Sequence, residues 1–138
     1  MEKKMKMSYG AAYAAALALM MMIGPSAAVA SKAGEIRLRT DLTGGAIAGK
    51  TPHGHAESRS QTGRNRSEFK VEVEDVNLAD GTSLEVDVNG AKVGTLTLKL
   101  GEGELELDSQ DHDIVPAVKK GDVVTVVGAA GALLSGAF

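Results

Sequence analysis

The chain has 138 residues, 24% of them charged, with no cysteine, no tryptophan and a formal charge of −3 at pH 7. The missing cysteines exclude a disulfide framework, a thiolate metal site and a lipid-modified cysteine. The length suits one domain that holds itself together by burial alone.

The first element is a leader. Glu2, Lys3, Lys4 and Lys6 form a short, mostly positive start, Ala11 to Ile23 is apolar, and Gly24-Pro25 precedes the small residues Ser26-Ala27-Ala28-Val29-Ala30. Basic start, apolar stretch and small-residue cleavage site are the three parts of a secretory signal. The pattern predicts a cleavable signal peptide over residues 1–30, Ser31 as the new first residue, and a periplasmic or extracellular destination. The apolar run falls short of the roughly 20 residues a spanning helix needs, so no membrane attachment is expected after cleavage.

All six methionines and both tyrosines precede residue 31. The mature chain then keeps Phe69 and Phe138 as its aromatics and offers oxidants little to attack. Removing Glu2, Lys3, Lys4 and Lys6 from 18 acidic and 15 basic residues leaves 17 and 12, a balance of −5. Residues 31–70 carry eight basic and four acidic residues, and residues 71–138 carry four and thirteen.

From Glu35 onward apolar and polar residues alternate. Ile36 and Leu38 interleave with Arg37 and Arg39, Phe69, Val71 and Val73 with Lys70 and Glu72, and Leu84, Val86 and Val88 with Glu85 and Asp87. Leu96, Leu98 and Leu100 continue the pattern, as do Leu105 and Leu107. Period-two patterning gives each strand one face on a core and one in water. The run Val123 to Val127 is apolar on both faces and reads as a central strand, and Ala132 to Phe138 as a last strand with Phe138 anchored in the core. Gly54 to Arg66 is the most ambiguous stretch, with His55, Glu57 and Arg59 alternating as an edge strand before a polar loop from Ser60 to Asn65. Asn89-Gly90 is a two-residue hairpin signal, and Asp80-Gly81 and Lys120-Gly121-Asp122 mark further turns. No helical spacing of apolar residues follows Ser31. The fold expected is all-β: residues 31–138 as a single antiparallel two-sheet sandwich of seven to eight strands, with a small β-barrel as the alternative.

Gly44-Gly45-Ala46-Ile47-Ala48-Gly49-Lys50-Thr51 matches the phosphate-loop pattern G-x-x-x-x-G-K-T. That motif works only where a buried strand feeds a glycine loop and a helix starts at the lysine. Pro52 pushes Thr51 away from helical geometry, so the match reads as a Gly/Ala loop. Asp75, Asn77 and Asp80, and likewise Asp108, Asp111 and Asp113, miss the calcium-loop spacing and read as turns.

His53 and His55, one residue apart, would share a strand face and suit two imidazole bonds to a metal ion, with a third ligand to come from His112, Asp111 or Asp113 in a distant loop. No other cofactor is suggested. No nucleophile motif and no cluster of buried titratable groups occurs, so the chain reads as non-enzymatic. Arg37, Arg39, Arg59, Arg64 and Arg66 are candidates for binding an anion or an anionic polymer. Nucleic acid is disfavoured, because single-strand binders stack bases on aromatic side chains. Cross-strand pairing within the chain is the simpler use of these charges, and head-to-tail assembly of basic on acidic halves is a third.

The stretch Val71 to Val127 resembles small exported bacterial β-sandwich proteins of broadly immunoglobulin-like kind, through Asp80-Gly81-Thr82, Val88-Asn89-Gly90, Val93-Gly94-Thr95, Gly103-Glu104-Leu105-Glu106-Leu107 and Val115-Pro116. The cysteine pair and core tryptophan of true immunoglobulin domains are missing here. The resemblance implies a fold and no activity. Together these readings predict an exported structural or interaction module with a protein partner or a second copy of itself. A metal- or small-anion-binding protein is the alternative.

Overall fold

A computed structural model of the chain describes residues 27–29 and 34–138. The leader expected over residues 1–30 lies outside the described residues except for Ala27–Val29.

The strands are β1 (Ala27–Val29), β2 (Glu35–Thr43), β3 (His53–Gln61), β4 (Arg66–Glu74), β5 (Ser83–Val88), β6 (Ala91–Thr97), β7 (Gly103–Asp108), β8 (Val123–Gly128) and β9 (Gly131–Ala137). Among the described residues there is no α-helix; two short 3-10 turns, Thr62–Arg64 and Ser109–Asp111, complete the structure. All strand pairings are antiparallel, and eight strands run in the order β6-β5-β8-β9-β2-β3-β4-β7, with β1 beside β2. The sheet curls until its two end strands approach. Gly94 on β6 faces the Leu105 side chain on β7, and Gly103 faces Leu96. Backbone pairing between the hairpin arms is confined to the Lys99↔Glu102 bridge. The all-β expectation holds, and the result is a nearly closed, barrel-like sheet of eight strands.

Alternation is what turns this sheet into a container. On β4 Phe69, Val71 and Val73 are buried while Glu68, Lys70, Glu72 and Glu74 face out. Leu84, Val86 and Val88 of β5 and Val124 and Val126 of β8 close the interior from the other side. Phe138 joins them, 6% exposed, its backbone N–H donating to Asp122 O and its carbonyl accepting from Gly121 N. Asp122 is buried and accepts hydrogen bonds from Lys119 N and Asn89 Nδ2, which hold its carboxyl below the ordinary carboxylate range.

The turns follow their residues. Asn89 and Gly90 both take positive φ (51° and 85°), and the two-residue loop between β5 and β6 is the one the sequence predicts. Ala48 and Gly49 do the same (49° and 86°), with Ile47 and Lys50 bonded across them at 2.8 and 3.1 Å. The phosphate-loop look-alike is therefore a tight turn. Lys50 opens no helix; the chain passes through buried Pro52 into β3.

Two expectations are corrected. Leu100 does not continue β6: it sits 81% exposed at a hairpin tip with φ of 54°, paired with Gly101 at 78°. β3 is not an edge strand. It runs nine residues between β2 and β4, paired along its whole length on both sides.

The seam between β9 and β2 is thin, with one registered pair, Ser135↔Thr43. Here backbones approach so closely that a Cβ on Gly136 would collide with Asp41 O, and one on Gly44 with Leu133 O. Glycine is required at both.

Val73→Asp buries a charge and is expected to cost about 3 kcal/mol or more in chemical denaturation; a neutral result would contradict the facing of β4. Leu100→Gly relieves a left-handed leucine that contributes no burial, and should stabilise by about 0.5–1 kcal/mol in the same assay.

Candidate interaction surface

The outer face of β2, β3, β4 and β7 is a grid of polar residues whose rows are set by register. One row runs Arg39, Glu57, Lys70, Glu106; the next runs Arg37, Arg59, Glu68, Asp108; a third runs Asp41, His55, Glu72, Glu104. Arg37 stands directly opposite Arg59, an unfavourable pairing. Neighbouring carboxylates offset it: diagonally, Arg37 Nε lies 3.7 Å from Glu57 and Arg59 Nε 3.6 Å from Glu35, and directly across the next pair Arg59 lies 3.5 Å from Glu68. Those distances exceed hydrogen-bond length, and the Nε atoms of Arg37 and Arg59 are shielded from solvent without a hydrogen-bond partner.

The closest ion pairs join the basic first half of the sequence to its acidic second half within one molecule. Arg66 Nη2 lies 2.5 Å from Asp108, and Lys70 Nζ bridges Glu72 at 2.7 Å and Glu104 at 3.0 Å. Charge segregated along the chain is interleaved on the sheet. Lys70 holds the Glu72 carboxyl below its usual range, Arg66 does the same to Asp108, and both cations are correspondingly raised.

The candidate metal ligands are not brought together. His53 Nε2 lies 3.0 Å from Asp75 Oδ2 and 3.9 Å from Glu74, and His55 Nε2 lies 3.5 Å from Glu72. His112 caps the Ser109–Asp111 turn beyond the far end of β7. The length of β7 alone separates the two places by roughly 17 Å at about 3.4 Å per residue. No group of three or more His, Asp or Glu side chains able to hold a metal ion exists among the described residues. The aspartates of the failed calcium loops serve turns: Asp80 accepts from Leu100 N, Asp108 from Gln110 N, and Asp113 from Asp108 N.

Of the five candidate anion-binding arginines, Arg37, Arg59 and Arg66 are engaged in these pairs, whereas Arg39 and Arg64 have no ion pair among the described residues. Arg64 is at the end of the Thr62–Arg64 turn. Arg39 is exposed on β2, two residues from Arg37 and on the same face.

The inner side of β2 holds a feature that the sequence reading did not single out. A cleft of about 190 Å³ is lined in part by Ile36, Leu38, Ser58, Ser60, Pro116 and Val118. The signal was present in β3, whose inward positions are Gly54, Ala56 and Ser58, followed on the same side of the pleat by exposed Ser60, all too small to fill a barrel interior. Ile36, aligned with the core face by alternation, is 60% exposed at this opening. Beside it, β2 residues Arg37, Leu38 and Arg39 stand opposite Val29, Ala28 and Ala27 of β1, while β9 pairs with β2 only at Thr43.

No protein-family model matches the chain, and no curated protein matches it. Among the described residues no helix is long and apolar enough to cross a membrane.

Glu72, Asp108 and Asp122 all titrate below their ordinary values when folded. Stability linked to them is present above pH of about 4 and is lost as pH falls through the lowered values. The melting temperature should therefore hold steady from neutral pH down to about 5 and drop below about 4. Arg66→Met should flatten part of that acid limb in thermal melts, because Asp108 then titrates closer to its unfolded value.

Proposed function

We propose that the chain is an exported, non-enzymatic interaction module of the periplasm or extracellular space, and that it meets its partner along the Glu35–Arg39 half of the β2 edge. The observation that carries this reading is the incomplete seam. β2 is paired over its full length on its β3 side, whereas toward β9 it has one registered pair and a three-residue strand drawn from the expected leader. A sheet edge held only by so short a strand is a template for a longer one from another chain, and the cleft under Ile36 and Arg39, which has no ion pair among the described residues, lie along the same stretch of β2.

Within this reading residues 31–138 are one domain and the curled sheet is a flattened sandwich of immunoglobulin-like kind. In favour of that, β6-β5-β8-β9 and β2-β3-β4-β7 meet at one registered pair on one side and one hairpin bridge on the other. Head-to-tail self-association of basic on acidic halves has less to draw on, because Arg66 and Lys70 already hold Asp108 and Glu104 within the molecule.

Two measurements test the proposal. N-terminal sequencing of the chain recovered from an exporting cell should begin at Ser31. A photo-crosslinker at position 39 should give an adduct with an envelope or secreted component that the same crosslinker at Lys99 does not. An unprocessed chain, or equal labelling at both positions, would sink the reading. Light scattering should report a monomer at both low and high salt; association that salt abolishes would restore the assembly of charged halves.

A further inference from the structure

Resting on the reading just given, we propose that the Arg37–Arg39 stretch of the β2 edge is a strand-acceptor slot for an extended acidic segment of a partner protein, and that Ala27–Val29, which occupies it in this structure, is a placeholder until the leader is removed. The geometry supplies each part. β1 runs antiparallel to β2 with Ala27 opposite Arg39, Ala28 opposite Leu38 and Val29 opposite Arg37. β9 pairs with β2 at Thr43 and then leaves it, since Phe138 is bonded through its backbone to Gly121 and Asp122. β1 thus takes up the β2 edge where β9 gives it up, and it is a strand of this chain seated on the edge, which shows that the slot accepts one. Cleavage after Ala30 would remove all three of its residues.

Charge selects the occupant. Arg37 and Arg39 face the solvent side of the slot two residues apart, the repeat of a strand face. Arg39 has no ion pair among the described residues, and Arg37 has one, at 3.7 Å. An incoming strand with carboxylates on alternate residues places them opposite both arginines, and its intervening side chains face Ile36, Leu38 and the cleft. A second copy of β2 fits worse: centred on Leu38 and antiparallel, it would set Arg37 against Arg39 of the other copy and Glu35 against Asp41, like against like. Strand addition of this kind draws affinity from main-chain hydrogen bonds and specificity from alternate side chains.

The test compares the processed chain recovered after export with the full chain made without export. The probes are fluorescent acetylated heptapeptides alternating glutamate with valine or lysine with valine, read by anisotropy. The glutamate peptide should bind the processed chain at least tenfold more tightly than the full chain, weaken with salt, and bind at least tenfold more weakly to Arg39→Glu, whose melting temperature should be unchanged. The lysine peptide should not bind. Amide hydrogen exchange over residues 36–39 should be faster in the processed chain than in the full chain and slow when the glutamate peptide is added. Equal binding to both forms, no binding, indifference to Arg39→Glu, or equal protection of residues 36–39 in both forms overturns the slot. In those cases a processed N-terminus with crosslinking at position 39 still leaves the exported interaction module standing. A chain that keeps its leader in the cell overturns that module and the placeholder together.

Discussion

Nine consecutive cross-strand pairs on each side hold β3 in the middle of the sheet, and most of the outer surface depends on that registration. β3 contributes no large apolar side chain to the interior. What fixes it is what its neighbours cannot give up: β2 must keep Leu38 and Leu42 inside, and β4 must keep Phe69, Val71 and Val73 inside. A slip of one residue would turn Glu57 and Arg59 into the barrel and Ala56 and Ser58 out of it. With the register set, Glu57 falls beside Arg37, Arg59 between Glu35 and Glu68, and His55 beside Glu72. Such partly exposed pairs contribute on the order of 0–1 kcal/mol each. Their larger effect is to make one alignment of a polar strand distinct from its alternatives.

The same strand explains why the interior is incompletely filled. Opposite the bulky inward face of β4, β3 presents Gly54, Ala56, Ser58 and Ser60. Gly54 is there because a Cβ would strike Glu72 O, so the backbones of β3 and β4 approach at one end of the strand. Toward the other end the serines leave space beneath Ile36, and the chain segment around Pro116 and Val118 only partly covers it. The seam carries a parallel constraint. Gly44 and Gly136 allow β9 and β2 to touch near Thr43, and beyond that contact the three-residue β1 is what pairs with β2 on that side among the described residues. A narrow join at one end and small inward residues at the other together leave a lightly held edge, covered by β1 alone among the described residues, next to an open cleft.

How much of this was legible in the sequence varies with the kind of signal. Strands with large apolar residues on one face, such as Phe69 to Val73 and Leu84 to Val88, could be read directly, because burial and pleat give the same period. Asn89-Gly90 was legible because few residue pairs accept two positive φ values in succession. In sequence β3 has the look of an edge because its inward residues are weakly apolar; its central position comes from pairing partners far away in sequence, which alternation does not report. Leu100 misleads for the converse reason, since it keeps the apolar period of Leu96 and Leu98 although the backbone has already turned. Among the site residues, Arg37, Arg59 and Arg66 were recognised as a group, but which carboxylate each would meet depended on register. His53, His55 and His112 could not be placed relative to one another until β7 was seen to separate them. The cleft went unread because empty space has no residue of its own; only the run of small inward side chains on β3 announces it.

The charged face and the open edge differ in what they still have to offer. On the face, Arg66 and Lys70 are already met by carboxylates at 2.5–3.0 Å, and a newcomer would have to displace contacts that exist. At the edge the resident is β1, three residues long. Ordering three residues costs roughly 1–2 kcal/mol each in backbone entropy, while the few hydrogen bonds so short a strand makes return about 0.5–1.5 kcal/mol each. The two sums are of similar size, so β1 is held weakly and exchanges for a longer strand at little cost. A longer strand gains bonds faster than it gains constraints from docking, because one end fixed in register aligns the rest. A binding region is expected where the structure is least committed, and in this sheet that is the half of β2 that β9 does not reach.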